Sequence, residues 1–113
     1  MALYENVFIA RQDITPGQVE ALTEKYIKLI EDAKGKVEKR EYWGLRNLAY
    51  VIQKNKKGHY TMLNYDAHSD VMKEVERQMG LDTDVIRFMT IRLEEIDQEP
   101  SIMMSSSRDD DKK

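Results

Sequence analysis

REYWGLRNLAYVIQKNKKGHYTMLNY, from Arg40 to Tyr65, reads as two long strands joined by a polar turn. Tyr42, Trp43, Leu45, Leu48, Tyr50, Val51 and Ile52 give the outgoing half the aromatic and β-branched density of a strand. Tyr60, Thr61, Met62, Leu63 and Tyr65 do the same for the returning half. Between them, Asn55-Lys56-Lys57-Gly58 has the composition of a hairpin loop of about four to five residues. Gly44 interrupts the outgoing strand and predicts a bulge or a close backbone approach.

The flanking segments supply the rest of a sheet and its cover. From Leu3 to Ala10, Tyr4, Phe8 and Ala10 fall on one parity and Leu3, Val7 and Ile9 on the other. A strand apolar on both sides belongs in the middle of its sheet. Thr15 and Pro16 are an N-cap and a first helical residue. Val19, Leu22, Tyr26, Leu29, Ile30 and Ala33 then recur at helical spacing until Gly35. The long strand covers about Lys36 to Gln53, and its partner Gly58 to Asp66. His68 or Ser69 opens a second helix carrying Val71, Met72, Val75 and Met79, closed by Gly80. A last strand spans Asp84 to Leu93. The order βαββαβ predicts an α+β, ferredoxin-like sandwich, a four-stranded antiparallel sheet with both helices on one face. Residues 1–97 form the expected domain, and 98–113 a flexible polar tail biased to serine and charge. Within that tail Ile102, Met103 and Met104 are either inert or a docking element for a partner.

A length of 113 residues suits one domain with one core, and 41% hydrophobic with 35% charged residues suits a soluble globular chain. No apolar run approaches the roughly 20 residues that span a bilayer, and MALYENVFIARQ lacks the pattern of a signal peptide. Without cysteine there is no disulfide, thiolate metal site or cysteine nucleophile. The formal net charge is −3, yet it is unevenly placed. From Lys34 to Lys57 eight basic residues face two acidic ones, a local +6 that leaves about −9 elsewhere. Such asymmetry suits a polyanionic partner, and it equally suits a charged hairpin that blunts a sheet edge.

With helices on one face of the sheet, the other is open. Val7, Ile9, Tyr60, Met62, Met89 and Ile91 have the parity to share it, opposite Phe8, Leu63, Tyr65 and Phe88. So much apolar area marks a partner surface, unless a register slip turns it inward. The basic candidates for nucleic-acid backbone are Arg46, Lys54, Lys56, Lys57, Arg87 and Arg92. Such contacts position a protein without reading sequence. Arg87 and Arg92 are equally readable as solvated edge charges. The aromatic motif with which many ferredoxin-like domains stack bases is missing, Tyr60 being its one approximation.

Catalysis has no foundation in the sequence. His59 and His68, the two histidines, have neither helical metal-ligand spacing nor carboxylate neighbours in a ligand pattern, so no metal is expected. Asp66 and His68 have no nucleophile or oxyanion donor beside them. The five glycines are scattered as turn and cap residues and form no phosphate loop, and nothing calls for a cofactor.

A family resemblance runs through these elements. Tyr4-Glu5 with Phe8, then Trp43-Gly44-Leu45-Arg46-Asn47-Leu48-Ala49-Tyr50 with Ile52 and Lys54, then Gly58-His59-Tyr60 and Val85-Ile86-Arg87-Phe88 resemble the bacterial small-subunit ribosomal protein six family. The resemblance covers residues 2 to about 95. It implies the same fold, no catalysis and a structural place in the small ribosomal subunit. It further implies binding of small-subunit rRNA in the platform, as a heterodimer with small-subunit ribosomal protein eighteen, with no membrane and no small-molecule substrate. The ribosome would be cytoplasmic, though an organelle matrix also fits. Some relatives carry glutamates extended by ligation; this chain ends Asp109-Asp110-Asp111-Lys112-Lys113, so that modification is not carried over. Asn6, polar on the inward parity of the first strand, departs from a simple core pattern. The competing class is a homodimeric ferredoxin-like sensor of small molecules. A third, an acyl-phosphate hydrolase, is disfavoured by the acid and proline of Arg11–Gly17 where anion-binding amides would be needed.

Overall fold

The protein is described here from a computed structural model, which describes residues 1–101. Strand β1 (Ala2–Arg11), helix α1 (Pro16–Asp32), strands β2 (Lys36–Ile52) and β3 (Asn55–Ala67), helix α2 (Ser69–Leu81) and strand β4 (Val85–Leu93) follow in that order. One antiparallel sheet in the order β2-β3-β1-β4 carries both helices, the ferredoxin-like α+β arrangement. β1 is central, as its two apolar parities require.

α1 starts at the expected cap. Thr15 Oγ1 accepts the Gln18 amide at 3.1 Å while Gln18 Oε1 accepts the Thr15 amide at 2.8 Å, a reciprocal capping box that leads into Pro16. The helix buries Val19, Leu22, Thr23, Tyr26, Ile27 and Ile30, so its inward stripe runs through Ile27, and Leu29 lies at its margin. Beyond the helix, the left-handed residue is Lys34 (φ 72°) and not Gly35. Gly35 is required for another reason: a Cβ there would stand 2.7 Å from Ile30 Cγ2. α2 continues through Gly80 to Leu81, and the Asp82 amide closes it on the Met79 carbonyl. The core fills the space between helices and sheet, with Phe8 edge-on to Tyr26 and Tyr4 tilted against Tyr65, both at 5.6 Å. Asn6 is fully buried and donates to Thr90 Oγ1 at 2.9 Å, a polar link from β1 to β4.

The hairpin turn is not where composition placed it. Ile52 pairs with Asn55, and Gln53 (φ 48°) and Lys54 (φ 68°) form a two-residue turn with both centres left-handed. Asn55 stabilises it from outside. Its Nδ2 donates to the Ile52 and Gln53 carbonyls at 3.2 and 3.0 Å, and its Oδ1 accepts the Gln12 amide at 3.0 Å. Lys56, Lys57 and Gly58 are therefore strand residues. Gly58 is glycine because β1 passes close by: a Cβ would lie 2.3 Å from Ile9 Cγ2. β2 carries three register shifts, after Val37, at Tyr42/Gly44 with Gly44 at φ 92°, and between Asn47 and Ile52. In the last, Leu48 to Val51 stand opposite Lys56 alone and bulge from the ladder.

Candidate RNA and protein interface

Residues opposite one another in an antiparallel ladder point to the same face. The pairs Val7–Met62, Ile9–Tyr60, Val7–Met89 and Glu5–Ile91 thus place all six apolar candidates, Val7, Ile9, Tyr60, Met62, Met89 and Ile91, on the helix-free face. Their accessibility differs. Met89 and Ile91 on edge strand β4 are 60% and 44% exposed, whereas Ile9 and Met62 are 7% and 1% exposed. Val7 and Tyr60 are half-buried. The accessible apolar surface is therefore the β4 side of the face, with Val7 and Tyr60 as its floor.

The arm forms one end of this face. Trp43, in the bulge at Gly44, stacks on Tyr60 with ring centroids 6.4 Å apart and planes 20° from parallel. Arg46 Nε donates to the Trp43 carbonyl at 3.0 Å. Leu48 bends over Gly58, where its Cδ2 meets the space beside Ile9. Tyr50, 60% exposed, reaches β4, where the Arg87 guanidinium lies 5.8 Å from its ring centroid and donates to its hydroxyl. β2 and β4 are opposite edges of the sheet, so this cation–π contact closes the arm over that end.

Of the basic candidates, Arg46, Lys56 and Arg87 have the parity of the open face, Arg46 pairing with Gly58 and Arg87 with Ile9. Lys57 pairs with Asn47 on the other parity, and Lys54 sits at the turn. Arg92 pairs with Tyr4, so it emerges on the helix side, beside Met1, His68 and Ser69. Five are one arm-centred set; Arg92 is remote from it. Lys54, Lys56 and Lys57 are exposed, whereas Lys39 and Arg40 from the same basic run are engaged internally. Arg40 bridges Glu20 and Glu24 on α1 at 2.6 Å each, and the Arg40 guanidinium holds the Glu24 carboxyl below its usual range. Only part of the local +6 is therefore available to a polyanion.

The pattern of apolar residues did not point to Trp43, Tyr50 or Glu41. Trp43 aligns with Tyr60 only through the bulge, for which Gly44 was the visible signal. Glu41 is 8% exposed on the open face opposite Met62. Burial pushes its carboxyl up, but hydrogen bonds from Ser101 and Trp43 and the Lys39 ammonium outweigh this and hold it below the usual range. Residues 98–101, which composition assigns to the tail, lie against β2 through these contacts; Ile102, Met103 and Met104 fall outside the described residues.

His59 and His68 are separate. His59 is buried between Tyr42 and Ile14, and His68 lies 3.7 Å from Asp70 at the surface. Among the described residues no three acidic or histidine side chains group as metal ligands, and no helix is long and apolar enough to cross a membrane. A concavity of about 230 Å³ between α1 and β2 is lined by Val19, Thr23, Arg40, Tyr42 and Thr61, and a shallow open one of about 710 Å³ lies by Met1, Arg92 and Glu94. Neither converges polar groups on an apolar pocket as a metabolite site would.

Comparison with known proteins agrees with this non-catalytic surface. The family model described as Ribosomal protein S6 matches residues 3–92. A small ribosomal subunit protein bS6 from Paramagnetospirillum magneticum is 59% identical over 111 residues, 97% of this chain and 77% of the relative. Another, from Parvibaculum lavamentivorans, is 57% identical over 109 residues, 96% of this chain and 70% of the relative. The crystal structure of 30S ribosomal protein S6 from Thermotoga maritima superposes with a TM-score of 0.76 at 26% identity, covering 99% of this chain and 98% of the other. The chain belongs to the ribosomal protein S6 family, non-enzymatic constituents of the small ribosomal subunit.

Proposed function

We propose that the chain binds small-subunit rRNA in the platform as one half of a heterodimer with small-subunit ribosomal protein eighteen, in the cytoplasm. The observation that carries this reading is the helix-free sheet face. Exposed Met89 and Ile91 border it on one side, and Arg46, Lys56 and Arg87 share its parity at the arm end. Apolar area of that kind is what a protein partner covers, at a gross gain of about 25 cal/mol per Å² before ordering costs. Arg46, Lys54, Lys56, Lys57 and Arg87 then supply phosphate contacts along one end of the joint surface, and Arg92 makes a separate contact from the helix side. With a net charge of −3 the isolated chain has little general attraction for RNA, so the partner is needed to complete the site.

The test is binding to the rRNA platform segment, with and without the partner protein, across a salt series. Tight binding only in the partner's presence, weakening by about 0.7–0.9 log units per log unit of salt for each phosphate contact, is the expected result. Failure to bind the partner would overturn the reading.

A further inference from the structure

The fold protects one edge of its sheet and leaves the other bare. β2 loses its register three times, and residues 97–101 lie against it: Lys39 Nζ donates to the Asp97 and Glu99 carbonyls at 2.7 and 2.6 Å, and Glu41 accepts the Ser101 hydroxyl and amide at 2.6 and 2.9 Å. Bulges and a covering segment are usual means of blunting an edge against a foreign strand. β4 has neither over most of its length. From Arg87 to Leu93 it follows β1 without a shift, and it contains no proline or glycine. Among the described residues its ladder is to β1 alone. Its other side therefore carries the unpaired backbone donors and acceptors of an edge strand. Met89 and Ile91, both exposed, stand on that edge with open-face parity, and Leu93 shares it.

The sequence of this edge is complementary to itself. Two copies related by a two-fold axis perpendicular to the sheet pair antiparallel along β4. Open face stays beside open face when the axis passes through a residue. With the axis at Ile91, that residue meets Ile91 of the second copy, and Met89 meets Leu93 of the second copy. Arg87 then meets Glu95, twice by symmetry, and no like charges stand opposite one another. Glu95 is exposed two residues past the strand, within the reach of a side chain as long as arginine. The Tyr50 hydroxyl takes one of the five guanidinium donors of Arg87 and leaves others for a carboxylate. Neighbouring registers lack this match. An axis at Arg92 sets Arg92 against Arg92, and at Thr90 or Met89 it sets Arg87 against Leu93 or Ile91.

We propose that β4 is a self-pairing edge: two copies of this chain join along it, in the register centred on Ile91, into one continuous sheet. The contact is short, so the dimer is weak and concentration-dependent. It covers, in the free chain, the edge that would otherwise accept any extended strand. The pairing requires neither RNA nor ribosomal protein eighteen, and no ligand.

Sedimentation velocity of the full chain alone, over a concentration series, reads the association, and charge exchange reads its register. The parent should shift from monomer to dimer as concentration rises, and less so in high salt. In Arg87→Glu two acids face one another at each end of the contact, and in Glu95→Arg two bases do. Each variant alone should therefore dimerise about tenfold more weakly. Mixed in equal amounts, the two variants regain an ion pair at both ends and should associate as tightly as the parent. Variants that had merely unfolded would not recover on mixing. Ile91→Lys, which sets two ammonium groups at the axis, should stay monomeric throughout. A parent that is monomeric at every concentration overturns the proposal. So does a dimer that either charge variant forms as well as the parent, that mixing does not restore, or that Ile91→Lys leaves intact.

Discussion

The Tyr42 hydroxyl lies 2.7 Å from His59 Nδ1, and this contact fixes which ring nitrogen carries the proton. His59 Nε2 is 2.8 Å from the Ile14 carbonyl oxygen, which only accepts, so Nε2 is assigned the hydrogen and Nδ1 accepts from Tyr42. His59, 3% exposed, thereby joins β2, β3 and the loop before α1. Tyr42→Phe leaves the buried Nδ1 without a donor and should cost about 1 kcal/mol; His59→Ala, which also strands the Ile14 carbonyl and opens a cavity, should cost about 2–3 kcal/mol. The double variant should be no less stable than His59→Ala alone, within about 0.5 kcal/mol, since Tyr42 then has no ring to bond. Urea denaturation of the four proteins checks the cycle, and full additivity would remove the hydrogen bond from this account.

Three glycines should respond to alanine in a definite order. At Gly58 the new Cβ meets Ile9 Cγ2 at 2.3 Å with the Ala10 carbonyl behind at 3.3 Å, an overpacking that should cost about 1–3 kcal/mol. At Gly44 there is space but φ is 92°, so strain alone should cost about 1 kcal/mol or more. At Gly80, inside the last turn of α2 with only Phe88 at 4.0 Å, alanine should stabilise by about 0.4–1 kcal/mol. Thermal midpoints in the order Gly80→Ala, parent, Gly44→Ala, Gly58→Ala are expected. A neutral Gly58→Ala would mean that β1 and β3 are not so closely set.

What the sequence made legible and what it hid follow from the range of the forces involved. Thr15-Pro16 and the stripe from Val19 to Ile30 are local and periodic, so α1 was readable to its first residue. The double parity of β1 identified a central strand before any pairing was known. The turn was misplaced because Lys56, Lys57 and Gly58 have turn composition, while the residues that turn, Gln53 and Lys54, do not. Their conformation is supported by Asn55 and by Gln12, whose Oε1 accepts the Lys56 and Lys57 amides at 3.3 and 3.1 Å. Alternation grouped the six residues of the open face, but Ile9 and Met62 are sealed by tertiary neighbours that alternation does not report. Arg87 and Arg92, five positions apart, were separable by parity alone. The Glu41–Ser101 contact joins residues 60 apart and left no local trace.

Stability and RNA binding should separate at the turn. Gln53 and Lys54 both hold left-handed φ values that L-residues with a Cβ adopt at a cost. Gln53→Asn with Lys54→Gly supplies the pair that such a two-residue turn favours and should raise stability by about 1 kcal/mol. The same change deletes one arm cation. RNA binding by the heterodimer should therefore weaken, and its salt slope should fall by about 0.7–0.9 if Lys54 contacts one phosphate. Paired denaturation and salt-titration measurements decide it. A more stable variant with an unchanged salt slope would exclude Lys54 from the RNA surface.

Glu41 makes the C-terminal contact sensitive to acid. Burial raises its carboxyl pKa, but the Ser101 and Trp43 hydrogen bonds and the Lys39 ammonium leave it below the usual value. A carboxyl whose folded pKa lies below its unfolded one, about 4.3, contributes its full stability above that unfolded value. The contribution is lost as pH falls through the lower folded pKa, when the protonated group accepts fewer hydrogen bonds and no longer attracts Lys39. Between pH 7 and 5 the Glu41–Ser101 contact should be unaffected. Trp43 is the single tryptophan, and its indole N–H donates to the same carboxylate, so its emission reports on the Glu41–Ser101 contact directly. Emission should stay flat from pH 7 to 5 and change below about pH 4, before global unfolding monitored by far-UV circular dichroism. In Glu41→Gln, which has no charge to lose, the change before unfolding should disappear. An identical acid transition in that variant would assign the titration to another group and detach Ser101 from the ionisation of Glu41.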